Sequence, residues 1–297
     1  MVPGQVGRDA PPPQVQIPLK GLGRGCGGGW GDHRRDACGY QPPALPRNSW
    51  WSAFPFLILV GTVHGDPAGY GRAWRLLERL QPQLITVEIS PFSLRYRSRH
   101  EWRWQRWLER ALAELPPGAR GHLAIRRLKA QVEMPFEVRA ARDWGRAKGV
   151  QWRALDLGDL ARRELPRYET ELFSVDNLRG LLGTEDGFLE DWVAGEYHRA
   201  RAAWRRAPWR LHHHEVEARP REVFQARRLR NLAARSVRIV HLGGWEHLAP
   251  WRDGSGLTAA LADLRPLALL LEDAEGLPQA AARDLAGAGL DSEAVSC

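Results

Sequence analysis

The chain has 297 residues, 43% of them hydrophobic and 26% charged, with 14 tryptophans and a formal net charge of +8. Its longest apolar run, around residues 54–60, is far short of the ~20 residues that span a bilayer, so a membrane-spanning helix is excluded and a cytoplasmic protein is expected. Cys26, Cys38 and Cys297 are too few and too terminal for a disulfide framework.

Residues 1–48 are rich in Gly and Pro and carry no apolar periodicity, so they are read as a disordered segment preceding one α/β domain over 49–272. Gly23, Gly25 and Gly28 fall in a G-x-G-x-x-G pattern, but no strand precedes them and no helix follows, so the dinucleotide reading is rejected. Phe56 to Val60 reads as a strand buried on both faces. Asp66-Pro67 then reads as a helix start, with Tyr70, Ala73, Trp74, Leu77 and Leu80 at helical spacing. Leu84 to Ile89 is the next strand, which gives a βαβ unit.

Trp104, Trp107, Leu108, Ala111, Leu112 and Leu115 form an apolar helical stripe surrounded by Arg95, Arg97, Arg99, Arg103, Arg106 and Arg110. A surface helix with an apolar inner face and a solvated basic outer face accounts for that spacing, so nucleic acid is not expected as a partner. Phe136 to Lys148 is predicted helical with Gly149 as its stop, followed by a strand over 150–155 that ends at Asp156. Residues 157–217 read as a charged helical insertion or cap. A helix from Arg221 to Ala234, a strand over 237–242, a capped helix from Asp253 to Leu264 and the apolar run 267–271 complete the domain. The remainder, 273–297, reads as a flexible tail. The fold class is therefore α/β, a mostly parallel sheet flanked by helices.

Ligands of parallel sheets bind beyond the carboxyl ends of the strands. His64, Glu88, Asp156, Glu246 and His247 stand at those ends, and both histidines occur in one frame, Gly61-Thr-Val-His64 and Gly244-Trp-Glu-His247. Two histidines and a carboxylate from separate strands match either a divalent-metal site or a histidine base with an orienting carboxylate. His212-His213-His214-Glu215 reads as a solvated loop, and His241 as a hydrogen-bonded core residue facing away from Val240 and Leu242.

Leu59-Val-Gly-Thr-Val-His64, the strand ending at Glu88, and Val240-His-Leu-Gly-Gly-Trp-Glu-His-Leu248 resemble the TraB/Tiki superfamily. That group joins pheromone-shutdown proteins, Tiki metalloproteases, erythromycin-esterase-like enzymes and haem-binding ChaN-like proteins. The resemblance implies a hydrolase of amides or esters acting on a peptide or small molecule. It makes His64, Glu88 and His247 the ligands of a divalent cation (manganese, cobalt, zinc or iron), with Glu137 and Arg228 as further active-site residues. The esterase branch implies metal-free acid–base chemistry at the same residues, and the alternative is a ligand-binding or regulatory protein that uses the same crevice for haem or a signalling peptide without turnover.

Overall fold

The computed structural model describes residues 57–276 except 211, 236 and 237, and for 212–217 the backbone alone. The segment 1–48 and residues 277–297, read above as disordered and flexible, lie outside the described residues. Five parallel strands form one sheet in the order β3-β2-β4-β1-β5. They are β1 (Leu57–Thr62), β2 (Leu84–Val87), β3 (Gln151–Ala154), β4 (Ile239–Gly244) and β5 (Leu267–Leu270). The α/β class with a central parallel sheet is thus the observed architecture.

The order of the strands creates the crevice. The chain steps from β1 across a vacant place to β2 and on to β3, and after a long helical excursion it returns as β4 between β1 and β2. Three strand ends that are far apart in sequence therefore lie side by side, at the kind of topological switch where open α/β sheets bind ligands.

Alternation along the strands divides the core. Ile58, Val60, Ile85, Val87, Val240 and Leu242 pack on one face against α1 (Gly69–Leu80) and, after α2 (Pro91–Ala113) and α3 (Leu123–Val132), α4 (Phe136–Lys148). Helix α4 begins and ends where the sequence predicts, with Gly149 in the left-handed region at φ 69° closing it. Helix α1 starts later than expected. Asp66 holds a preceding turn by accepting from the Ala68 amide at 2.9 Å, and the helix begins at Gly69. Helix α2 is longer than its apolar stripe because Ser90 caps it, accepting from the Ser93 amide at 2.9 Å, with Pro91 in its first turn.

Residues 157–217 contain no strand among those described. They form α5 (Asp159–Glu164), a 3-10 and π-helical passage, α6 (Val175–Leu182), α7 (Leu189–Arg206) and the start of α8 (His212–Ala233). With α2 and α3, the stretch from α5 to α6 builds a second core around Trp104, Leu108, Leu128, Tyr168, Phe173 and Leu178, whereas α7 packs Leu189, Val193 and Tyr197 with Val63, Trp245 and Leu270. Helix α8 starts nine residues before the expected Arg221, because Pro220 reads as a first-turn proline yet lies inside the helix. On the second sheet face Leu57, Leu59 and Ile239 meet Ala226, Leu229 and Leu232 of α8.

After β4 come the short α9 (Trp245–Leu248) and α10 (Leu257–Ala260). The longer helix expected from Asp253 is broken by Gly254 at φ 72° and Gly256 at φ 96°, and Asp253 accepts instead from the Ser255 amide. Residues 273–276, read from sequence as the start of the tail, form a 3-10 turn held by an ion pair of Asp273 with Arg201.

Candidate functional site

Each strand of the crevice delivers one group. After β1 the chain turns at Gly65, whose φ of 83° suits glycine, and leaves the His64 ring at the crevice mouth with 62% of its side chain exposed. Its Nδ1–H donates to Glu137 Oε1 at 2.8 Å, and Thr62 Oγ1 donates to the same oxygen at 2.7 Å. Glu137 sits in the first turn of α4 and is 2% exposed, and its Oε2 has no partner among the described residues. With Nδ1 committed, Nε2 is the nitrogen left for a ligand.

Glu88 follows β2 directly and its side chain is 2% exposed. Its Oε2 accepts from the Gly244 amide at 2.8 Å, and its Oε1 lies 2.6 Å from an Arg221 Nη and 3.1 Å from His247 Nε2. His247, on α9, donates from Nδ1 to Glu222 Oε1 at 2.9 Å. Glu222 in turn receives two bonds from Arg210, at 2.6 and 3.0 Å, and one from the Gly256 amide. Asp156, beyond β3, grips the other side of Arg221 with contacts of 2.6 to 3.1 Å and accepts from Gln225 at 3.2 Å.

Glycine is required at the end of β4 for close approach. A Cβ on Gly243 would lie 2.9 Å from Glu88 Oε2 and 3.0 Å from His241 Nε2, and one on Gly244 would lie 3.0 Å from His64 Nε2 and 3.6 Å from Glu88 Oε2. His64 Nε2 and Glu88 Oε2 therefore face the same small space, less than 7 Å apart. Beneath it His241 is fully buried, as expected of a core histidine, with Thr86 Oγ1 3.0 Å from Nδ1; its Nε2 has no partner among the described residues.

The fields follow from these neighbours. Enclosure by protein opposes charge on His64, but Glu137 at bonding distance, with Glu88 further off, raises its pKa from 6.5 to about 9; the open side of the ring leaves solvent to screen both influences. Burial alone would raise Glu88, yet His247, Arg221, His64 and the Gly244 amide hold it well below the usual carboxylate range. Burial keeps His241 neutral, lowering its pKa to about 4. Arg221 is shifted upward, because Glu88 and Asp156 outweigh the cost of its own burial.

Of the residues singled out from sequence, the fold brings His64, Glu88, Asp156 and His247 to one edge and sets Glu137 against His64. Arg228 is elsewhere: it lies on the exposed face of α8, and the site arginine is Arg221, two turns earlier. Sequence reasoning missed Arg221 because it was read as the helix start. No local pattern marks it: Gln225, one turn on, is fully buried beside it, but that burial belongs to the tertiary structure. Glu246 is exposed and offers the site only its backbone carbonyl, which accepts from Arg210. The side chains of His212 to Glu215 lie outside the described residues; the backbone there is helical, not the loop expected.

The arrangement as built does not fit a divalent cation. Glu88 Oε1 and His247 Nε2, the atoms that would ligate it, both face the Arg221 guanidinium, at 2.6 and 3.3 Å, so a fixed positive charge stands where the ion would have to sit. No group of three or more His, Cys, Asp or Glu able to hold a metal occurs among the described residues. No protein-family model, curated protein or solved structure matches the chain.

Proposed function

We propose that the crevice hydrolyses an ester or amide of a peptide or small molecule by proton transfer at His64, with Glu88 orienting the attacking water. The observation that carries this reading is the pair of carboxylate-held imidazoles, His64 on Glu137 and His247 on Glu222, that converge on Glu88 with Nδ1 turned away. Fixing the tautomer in this way is what a proton-transferring imidazole needs.

The scissile carbonyl would lie over Gly243 and Gly244, in the space between His64 Nε2 and Glu88 Oε2. Water oriented by the Glu88 carboxylate attacks the carbonyl carbon. The His64 imidazolium gives its Nε2 proton to the departing oxygen or nitrogen as the C–O or C–N bond breaks, and the proton shed by the added water then restores His64. Arg221, clamped by Glu88 and Asp156, supplies fixed positive charge to the oxyanion that develops. His247 and Glu222 hold Glu88 and Arg221 in register. No step passes through a metal ion.

Assay of the purified chain on a panel of chromogenic esters and amides tests this. Turnover should fall by roughly 10²-fold or more in His64→Ala and Glu88→Gln, with Arg228→Ala unchanged, and chelator should have no effect. Activity that chelator removes and manganese or zinc restores would overturn the metal-free mechanism and return His64, Glu88 and His247 to the role of ligands. Saturable binding of haem without turnover of any substrate would replace the hydrolase with a ligand-binding protein.

A further inference from the structure

Helix α2 spends its apolar side on the second core: Trp104, Leu108, Ala111 and Leu112 are buried. Its outer side carries Arg95, Arg99, Trp102, Arg106 and Arg110, all exposed. These steps of four, three, four and four place the five residues within an arc of about 80° and along ~22 Å of helix. Trp102 stands at the middle of the row, 63% exposed, whereas the neighbouring Trp104 is fully buried. Beside the row's first turn the exposed Arg162 of α5 stacks on the Phe92 ring at 4.6 Å.

None of the four arginines of the row makes an ion pair among the described residues. The helix's own acids are committed elsewhere: Glu109 to Arg120 and Lys129, and Glu101 to the Met134 amide at 2.7 Å. This contrasts with Arg103, one step off the row, which is bound to Glu169. An uncompensated row of this kind costs self-repulsion and gains nothing within the fold.

We infer that this face of α2 binds single-stranded nucleic acid, the arginines tracking the phosphates while an unpaired base stacks on Trp102. Guanidinium groups pair with phosphate, and an exposed indole accepts any base face, a combination typical of sequence-tolerant single-strand binding. A duplex hides its base faces from such a ring. A lipid surface would demand an apolar face, and α2 has already buried its own.

The test uses the full chain and fluorescein-labelled (dT)20 and U20 in anisotropy titrations across a salt series. Four phosphate contacts predict a slope of log K on log salt of about −3. A variant with Arg95, Arg99, Arg106 and Arg110 all changed to Gln should bind at least tenfold more weakly and lose most of that slope. Trp102→Ala should weaken binding fivefold or more, and Trp102→Phe should restore much of it. Changing the exposed Arg205, Arg206, Arg227 and Arg228 to Gln removes equal charge from other helices and should leave binding within twofold. Unaltered melting temperatures keep the comparison valid, and the Trp102 pair reports on the site even if the fourfold variant fails to fold. Equal loss in the two fourfold variants, preference for duplex or for anionic vesicles, or no binding at low salt would each overturn the assignment.

Discussion

The two Gly-x-x-His turns share one sequence frame and have opposite surroundings. In each, a glycine at the end of a buried strand, Gly61 one residue before the end of β1 and Gly244 closing β4, precedes by three residues an imidazole whose Nδ1 donates to a buried glutamate, Glu137 for His64 and Glu222 for His247. Yet the His64 side chain is 62% exposed and that of His247 14%, with its Nε2 pinned between Glu88 and Arg221. The first turn opens toward the space a ligand would enter, and the second braces the charges beneath it. The frame fixes where an imidazole stands relative to its own strand; the helix packed above decides whether it works or supports. Helix α8 closes over the second turn with Arg221 and Glu222, whereas α4 brings only Glu137 beneath the first.

The contrast can be broken most forcefully at the second turn. Glu222→Ala would leave Arg210, whose side chain is 3% exposed, without its carboxylate and His247 without its acceptor, and should cost ~3–5 kcal/mol in denaturant unfolding. A loss under about 1 kcal/mol would show that the Arg210–Glu222 pair is not the buried brace it is taken to be. Gly243→Ala should cost ~1–3 kcal/mol, since the new methyl would press on Glu88 and His241, while Gly121→Ala, with open space around its Cβ, serves as the control.

The imidazoles themselves should separate in the same assay. His247→Ala takes a donor from the buried Glu222 and empties a site closed to solvent, and should cost ~1–3 kcal/mol, whereas the open side of the His64 ring lets water replace its bond to Glu137, so His64→Ala should cost about 1 kcal/mol or less while abolishing turnover. Equal destabilisation would erase the distinction between a working and a bracing histidine.

The smallest effects lie in the pH dependence, and there the comparison reaches His241. The folded pKa of His64 is raised, so its contribution to stability is complete below 6.5 and is lost as pH rises through about 9. His241 has the reverse sign. Its folded pKa of about 4 means that the unfolded chain binds the proton more readily, so acidification from 6.5 to 4 destabilises the fold. Imidazole NMR titrations should show the two rings on opposite sides of 6.5, and Glu137→Gln should bring His64 down. Turnover should decline on the alkaline side near pH 9, with that limb displaced to lower pH in Glu137→Gln. A His64 resonance that titrates near 6.5 in the unaltered protein would sever the His64–Glu137 link.

Much of the crevice was legible because strands and their ends obey local rules. The continuous apolar run over 57–60 and the apolar stretch over 239–242, interrupted by His241, mark strands buried on both faces, and the polar residues that follow them must stand at an edge. Glu88 stood out because a carboxylate closing an apolar strand is costly unless it is paired. Helix α4 was readable to the residue, and Gly149 sets its end by backbone geometry alone. Arg221 and Glu222 were not readable, because their importance lies in partners 12 to 133 residues away that no local pattern encodes.

By itself the sequence determined the parallel α/β class, the strand ends, and the placing of His64, Glu88 and His247 at those ends, because the period-2 and 3.6-residue patterns and the glycine and proline stops act over a few residues each. Tertiary structure alone decided that β4 enters between β1 and β2. It also decided that Arg221 and not Arg228 faces the crevice, that a guanidinium stands against both Glu88 and His247, and that Trp102 stays outside while Trp104 is buried. These are matters of which distant surfaces meet. Their energies, burial of apolar area and pairing of buried charge, exist only once the chain has closed upon itself.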